Sequence, residues 1–178
     1  MVVAINVQDL TKVFRSKKKN IKVVDDLSFS IPEGSIVGFI GPNGAGKTTT
    51  IKMLLDLIKP TLGKINILGG SLTRKDIKKF IGYMPEKDAF YGNMFPLDYL
   101  IYLGTLSGMS KKNAEERGRD ILEWLGLEGA IRRRIKNFSS GMKKKITFAQ
   151  AVMHHPKVLI LDEPTANLDP LAQEQILV

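Results

Sequence analysis

The chain has 178 residues with 27 Lys+Arg against 18 Asp+Glu, a net charge of +9, 43% hydrophobic residues and 25% charged residues. That balance is globular, excludes a disordered or fibrous chain, and suits one domain large enough for its own core. The absence of cysteine excludes a disulfide framework, a Cys-ligated zinc and a thiol nucleophile, and no apolar run approaches the ~20 residues of a membrane span. A soluble intracellular domain is the expectation.

In chain order, residues 2–7, 22–29 and 36–40 are short β-branched or apolar stretches that predict strands. Asp25-Asp26 and Pro32-Glu33-Gly34 punctuate them as turns. Ile51, Leu54, Leu55 and Ile58 recur at helical spacing, which predicts a helix over 47–58, stopped by Lys59-Pro60 and Gly63. Residues 64–68 and 80–84 predict two more strands. Helical periodicity then covers 97–107 and 111–125 around the breaker Gly108, without strand signals between. Residues 139–153 predict a further helix, Pro156 ends it, and 158–161 is a continuous apolar run of the kind parallel sheets bury on both faces. The order predicts an α/β core with a helical insert. Basic residues concentrate in 111–145, and the runs Lys17-Lys18-Lys19 and Arg132-Arg133-Arg134 read as solvated faces.

Chemistry enters at Gly41-Pro42-Asn43-Gly44-Ala45-Gly46-Lys47-Thr48, which fits G-x-x-x-x-G-K-[ST] between a predicted strand and a predicted helix. Glycines let successive N–H groups turn inward at a positive helix end, forming an anion nest for phosphates. Lys47 then faces the β/γ-phosphates, and the Thr48 hydroxyl suits a Mg²⁺ ion. Thr49 completes the phosphate-binding stretch. This pattern predicts a nucleoside triphosphate ligand. The second constellation, Val158-Leu159-Ile160-Leu161-Asp162-Glu163, ends an apolar strand in two carboxylates, which is costly unless they face a metal or a polar cleft. Asp162 suits a hold on Mg²⁺, and Glu163 suits the base that polarises an attacking water.

With both motifs in place, the chain resembles the nucleotide-binding subunit of ATP-binding-cassette (ABC) transporters over essentially its whole length. Phe138-Ser139-Ser140-Gly141-Met142 occupies the place of the family signature L-S-G-G-Q, and Asn167-Leu168-Asp169 that of the D-loop. Glu86, in Tyr83-Met84-Pro85-Glu86, stands at the Q-loop position, where many members carry Gln. Ser140 replaces the first signature glycine and Met142 the glutamine, so a side-chain hydrogen bond is lost at 142. Phe14 stands where the family places an aromatic that stacks on adenine, against the alternative of a core Phe. His154-His155 reads as a polar helix end. The Glu86 variant, the 41–50 stretch and the short insert are similar to exporters of the drug, antibiotic-resistance or sodium type.

The resemblance implies a P-loop ABC ATPase with a mixed N-terminal β-subdomain, a parallel core sheet, a helical insert, and the C-terminal strands missing. It implies one ABC domain over 1–178, divided into a β-subdomain plus P-loop core (1–96), a helical subdomain (97–137), and signature helix, Walker B strand and D-loop (138–178). ATP and Mg²⁺ are the implied ligands. Catalysis would involve Glu163, Lys47 and Glu86, and the metal Thr48, Glu86 and Asp162. Nucleotide contacts would come from Phe14, Gly41, Pro42, Asn43, Gly44, Ala45, Gly46, Lys47, Thr48 and Thr49, with Ser139, Ser140 and Gly141 reaching a partner's γ-phosphate. The implied function is ATP-driven transport through a membrane subunit that meets residues 86–99, where Tyr91, Met94 and Phe95 supply exposed apolar surface. Such a subunit lies in the cytoplasm, peripheral to the inner face of the membrane, and dimerises head to tail. A soluble ABC-type ATPase acting on nucleic acid or ribosomes is the alternative. A missing strand between the 36–40 and 158–161 strands would make this chain a fragment of a longer subunit, poorly active alone.

Overall fold

The computed structural model describes residues 2–16, 19–71, 75–87 and 90–165, which fall into two compact units, Met1–Lys78 and Lys79–Val178. In the first unit, strands β1 (Val3–Arg15), β2 (Asn20–Pro32), β3 (Leu62–Ile67) and β4 (Gly70–Ser71) form one antiparallel sheet in the order β2-β1-β3-β4. Alternation along β1 and β3 turns Ile5, Val7, Ile65 and Ile67 into the core, and Asn6 and Asn66 pair on the opposite face. β1 and β2 extend well beyond the predicted 2–7 and 22–29. Bulges absorb the irregular apolar spacing, with Asp9 and Asp26 at positive φ and their N–H groups donating to Ser28 Oγ (2.8 Å) and Thr11 Oγ1 (3.1 Å).

Helix α1 (Lys47–Leu54) is shorter than the predicted 47–58. Asp56 turns the chain into a left-handed conformation (φ 58°), and the Lys59 and Lys78 ammonium groups pair with its carboxylate, holding its carboxyl below the usual range. The short helix α2 (Lys75–Lys78) carries Ile77 into the core.

Residues 36–40 differ most from expectation: they form no strand and pair with none among the described residues. Ile36 and Ile40 are 102% and 98% exposed, and only Phe39 finds a ring neighbour, Phe29 at 5.3 Å. A strand propensity is realised only against an adjacent strand, and none lies beside these residues among those described.

The second unit holds a two-stranded parallel sheet, β5 (Ile81–Met84) beside β6 (Val158–Leu161), with helices α3 (Pro96–Leu106), α4 (Lys111–Trp124) and α5 (Ser140–Val152). Pro96 opens α3, and Ser110 caps α4 by accepting the Asn113 N–H at 3.1 Å. One apolar cluster joins the three helices through Leu97, Leu100, Leu122, Ile135, Ile146 and Ala149. Each fully buried leucine contributes ~1.5–3 kcal/mol. Tyr99 is buried with its hydroxyl 2.5 Å from Gln150 Oε1, and burial pushes its pKa up to about 12.

Gly82 sets how α5 meets β5. A Cβ there would lie 2.2 Å from the Ala151 carbonyl oxygen, so only glycine permits this approach. His154 adds a bond from Nε2 to the Ile81 carbonyl at 3.1 Å, consistent with a polar helix end. β6 is not buried on both faces: Leu159 is 40% exposed while Val158 and Ile160 are buried. The arginine run Arg132-Arg133-Arg134 is exposed, as the solvated-face reading expects, and two of its members also contact the chain. Arg133 and Arg134 bond the main-chain carbonyls of Asn137 and Asn93, and Arg134 lies over the Phe95 ring at 5.2 Å.

Exposure at 36 and 40 yields a prediction. Ile36→Ser and Ile40→Ser will each change the unfolding free energy of this chain by less than about 0.5 kcal/mol in a urea titration. Both will reduce binding of a hydrophobic-surface dye. A large loss of stability would place these side chains in a core.

Candidate functional site

The loop before α1 owes its shape to two left-handed glycines, Gly44 (φ 85°) and Gly46 (φ 90°). Gly46 also caps α1, and a Cβ there would sit 2.7 Å from the Val23 carbonyl oxygen, so the loop closes against β2 only with glycine. Ala45 N–H donates to the Pro42 carbonyl at 3.2 Å, tightening the turn. The Lys47 ammonium folds back over the loop and donates to the carbonyls of Gly41 (2.7 Å) and Pro42 (3.0 Å). A cation thus stands over the mouth of a backbone loop at a positive helix end, an arrangement for an anion. Asn43 is exposed on this loop, and Thr48 and Thr49 are half-buried in the first turn of α1. Thr50 turns inward and bonds the Gly46 carbonyl at 3.0 Å. Phe14 lies near the end of β1, 44% exposed, with the Lys12 ammonium 5.2 Å above its ring, so it is not a core residue.

In the second unit, the parallel ladder brings two acidic residues to one edge. Met84 pairs with Leu161, and the Asp162 N–H donates to the Met84 carbonyl at 2.9 Å, so the chain beyond β5 and the chain beyond β6 leave together. Asp162 is 5% exposed, whereas Glu86 and Glu163 are exposed. Glu163 sits at φ 49°, a strained conformation for a non-glycine residue. Tyr83 registers the local field: burial first, then the charges of Asp162 and Glu86, push its hydroxyl pKa up. Sequence reading passed over Tyr83, because a tyrosine in a short strand carries no motif.

Mg²⁺ is bound by one or two carboxylates together with phosphate oxygens and water, not by an all-protein cage. Among the described residues no cluster of three His, Cys, Asp or Glu could hold a metal alone, and the buried Asp162 and the exposed Glu86, on the two segments leaving the ladder, suit the open kind of site.

Ser139 caps α5, its Oγ accepting the Met142 N–H at 3.2 Å, and Ser140 and Gly141 open the helix. Met142 packs against the helical cluster, so the residue at the usual glutamine position serves the core. Of the three apolar residues singled out in 86–99, Tyr91 alone is well exposed, at 63%, in an edge-to-face pair with Tyr102. Met94 packs on the cluster and Phe95 is half-buried beneath Arg134. Asn167, Leu168 and Asp169 lie outside the described residues, as do Lys17 and Lys18.

Residues 24–166 match the sequence profile of ABC transporters, and that span takes in both phosphate-site motifs and the signature. The chain belongs to the ABC transporter family. It is 42% identical over 178 residues to the bacitracin transport ATP-binding protein BcrA of Bacillus licheniformis, covering 99% of this chain and 56% of that protein. It is 41% identical over 173 residues to the uncharacterised ABC transporter ATP-binding protein YxlF of Bacillus subtilis, covering 97% and 56%. A solved ATP-binding subunit of an ABC transporter superimposes with TM-score 0.84 at 32% identity, covering 98% of this chain and 72% of that one. The cassette therefore spans about half the length of the curated relatives it matches.

The field at Tyr83 is measurable. In the cassette, Asp162→Asn removes one of the two charges that raise the Tyr83 pKa, so the hydroxyl will ionise at lower pH. It will remain above the ordinary value of about 10, because burial persists. Ultraviolet difference titration against a Tyr83→Phe control reads this. An unmoved titration would separate Asp162 from Tyr83.

Proposed function

We propose that this cassette binds and hydrolyses ATP and drives transport, in the export direction, through a partner membrane subunit. The observation that carries the reading is the Gly41–Thr48 loop: two left-handed glycines and an ammonium aimed across a helix N-terminus. Kinship with a bacitracin transport protein supports the export reading.

Binding begins with electrostatics. The loop N–H groups and Lys47 donate to the triphosphate, whose oxygens replace the Gly41 and Pro42 carbonyls as partners of the ammonium. Phe14 offers a ring face to the base. Thr48, Asp162 and Glu86 would hold Mg²⁺, which when bound neutralises charge on the phosphate oxygens. Glu163 takes the proton of the attacking water, and its strained backbone holds the carboxylate outward. Ser139, Ser140 and Gly141 present a capped helix N-terminus to the γ-phosphate held by a second copy. A related fold, solved as a dimer with ADP and Pi at TM-score 0.87 and 23% identity, is compatible with that pairing. Residues 86–99 meet the membrane subunit, with the Tyr91–Tyr102 pair as the exposed apolar element. The assembled protein then lies at the cytoplasmic face of the membrane, and no described helix is long and apolar enough to cross it.

Two substitutions test the assignment. Lys47→Ala will weaken ATP binding by about 1.5–3 kcal/mol, the worth of a charged hydrogen bond, measured by calorimetry. Glu163→Gln will keep ATP affinity, lower turnover by ~10²–10⁴-fold in the assembled transporter, and accumulate a nucleotide-bound dimer. Near-normal turnover in that variant would remove Glu163 as the base.

Phe14→Ala provides the third check. It will weaken ATP binding by ~1–3 kcal/mol, and its exposure means that the melting temperature of the nucleotide-free protein will barely move. Unchanged affinity would end the stacking role.

A further inference from the structure

Lys144 is a charged residue in the wrong place for one. It lies in the middle of the Lys143-Lys144-Lys145 run, yet it is 3% exposed. Its neighbour Lys145 behaves ordinarily, half-buried and reaching the Leu125 carbonyl at 2.8 Å. The Lys144 ammonium instead donates to the main-chain carbonyl of Glu86 at 2.9 Å, a residue 58 positions earlier in the chain. Helical spacing explains the difference: Lys144 shares a face of α5 with Thr147 and Ala151, both buried, and this is the side that lies against β5 at Gly82.

Burying an ammonium is costly, so a lysine is an unusual choice for a buried helix face. Packing alone does not call for one here. What the side chain does is geometric. It ties the segment leaving β5, which carries Glu86, to a rigid helix whose capped N-terminus at Ser139 begins five residues earlier, about 7.5 Å along the axis.

We infer that Lys144 is a positioning residue that couples the Glu86 segment to the signature helix, so that engagement of Glu86 at the metal–phosphate site is felt at Ser139, Ser140 and Gly141. The inference rests on the proposed role of Glu86 in holding Mg²⁺. The bond goes to the Glu86 carbonyl, which leaves the Glu86 carboxylate free to point at the ion.

The test is a comparison of ATP affinity with Mg²⁺ and with EDTA, by calorimetry on this chain. Lys144→Met keeps the stem and deletes the donor. It will reduce the Mg²⁺-dependent gain in affinity by about 10-fold, the usual loss when an outer-shell partner of a metal ligand is removed. Lys144→Arg, which can donate to the same carbonyl, will restore most of the gain. In a Glu86→Ala background, where the gain is already reduced, Lys144→Met will change it no further.

An unchanged gain in Lys144→Met overturns the inference, and so does an equal further loss in the Glu86→Ala background. If Glu86→Ala itself leaves the gain intact, the role of Glu86 falls, and the coupling with it. Should Lys144→Met not fold, hydrogen exchange on the unmodified protein decides. Mg²⁺-ATP will protect the amides of 86–87 and of 142–145 together, and protection confined to one of these segments rejects the coupling.

Discussion

Four residues of parallel ladder carry the acidic half of this cassette. Without the pairing of Met84 with Leu161, and the Asp162 N–H on the Met84 carbonyl, Glu86 and Asp162 would sit on two unrelated loops. Parallel pairing is intrinsically weak and slow to form, because its partners are far apart in sequence. Here α5 compensates by lying almost in backbone contact with β5 at Gly82, and His154 bonds the Ile81 carbonyl from the same helix end. The ladder, the helix and the carboxylates form one mechanical piece, and a side chain at position 82 would separate them.

Strain is placed where chemistry is proposed. Glu163 takes a left-handed conformation one residue after the buried Asp162, so the two carboxylates leave the strand in different environments, one enclosed and one open. Such a conformation costs on the order of 1–3 kcal/mol and survives only when its surroundings hold it. In the phosphate loop of the other unit the same backbone region is occupied by Gly44 and Gly46, at no such cost, because that loop must present N–H groups and not a side chain.

What could be read from sequence divides along a physical line. The phosphate loop was readable because its chemistry dictates residue types at set spacing: glycine where φ is positive, and lysine and threonine at the helix start. The core helices were readable because Leu97 and Leu100 in one helix, and Ala114, Ile121 and Leu125 along the next, fall at helical spacing. Residues 36–40 have the composition of a strand, but strand formation depends on a neighbour, which composition does not report. Met142 was read as a lost hydrogen bond, whereas its side chain fills the helical cluster. Lys144 was hidden by its own neighbours, since three lysines in a row look solvated. The periodicity it shares with Thr147 and Ala151 was the available signal.

The same distinction bears on the net positive charge. A basic surface made for nucleic acid needs ammonium and guanidinium groups that are free to meet phosphates. In this chain several of them bond main-chain carbonyls. Lys144 bonds Glu86, Lys145 bonds Leu125, Arg133 bonds Asn137, Arg134 bonds Asn93, and Lys12 bonds Lys59. Each bond fixes a position in the fold, and for Lys144 burial removes the charge from any external partner. Within 111–145 four of the eleven Lys and Arg residues, Arg133, Arg134, Lys144 and Lys145, act as internal tethers, so net charge counted from composition overstates the charge offered to an external partner.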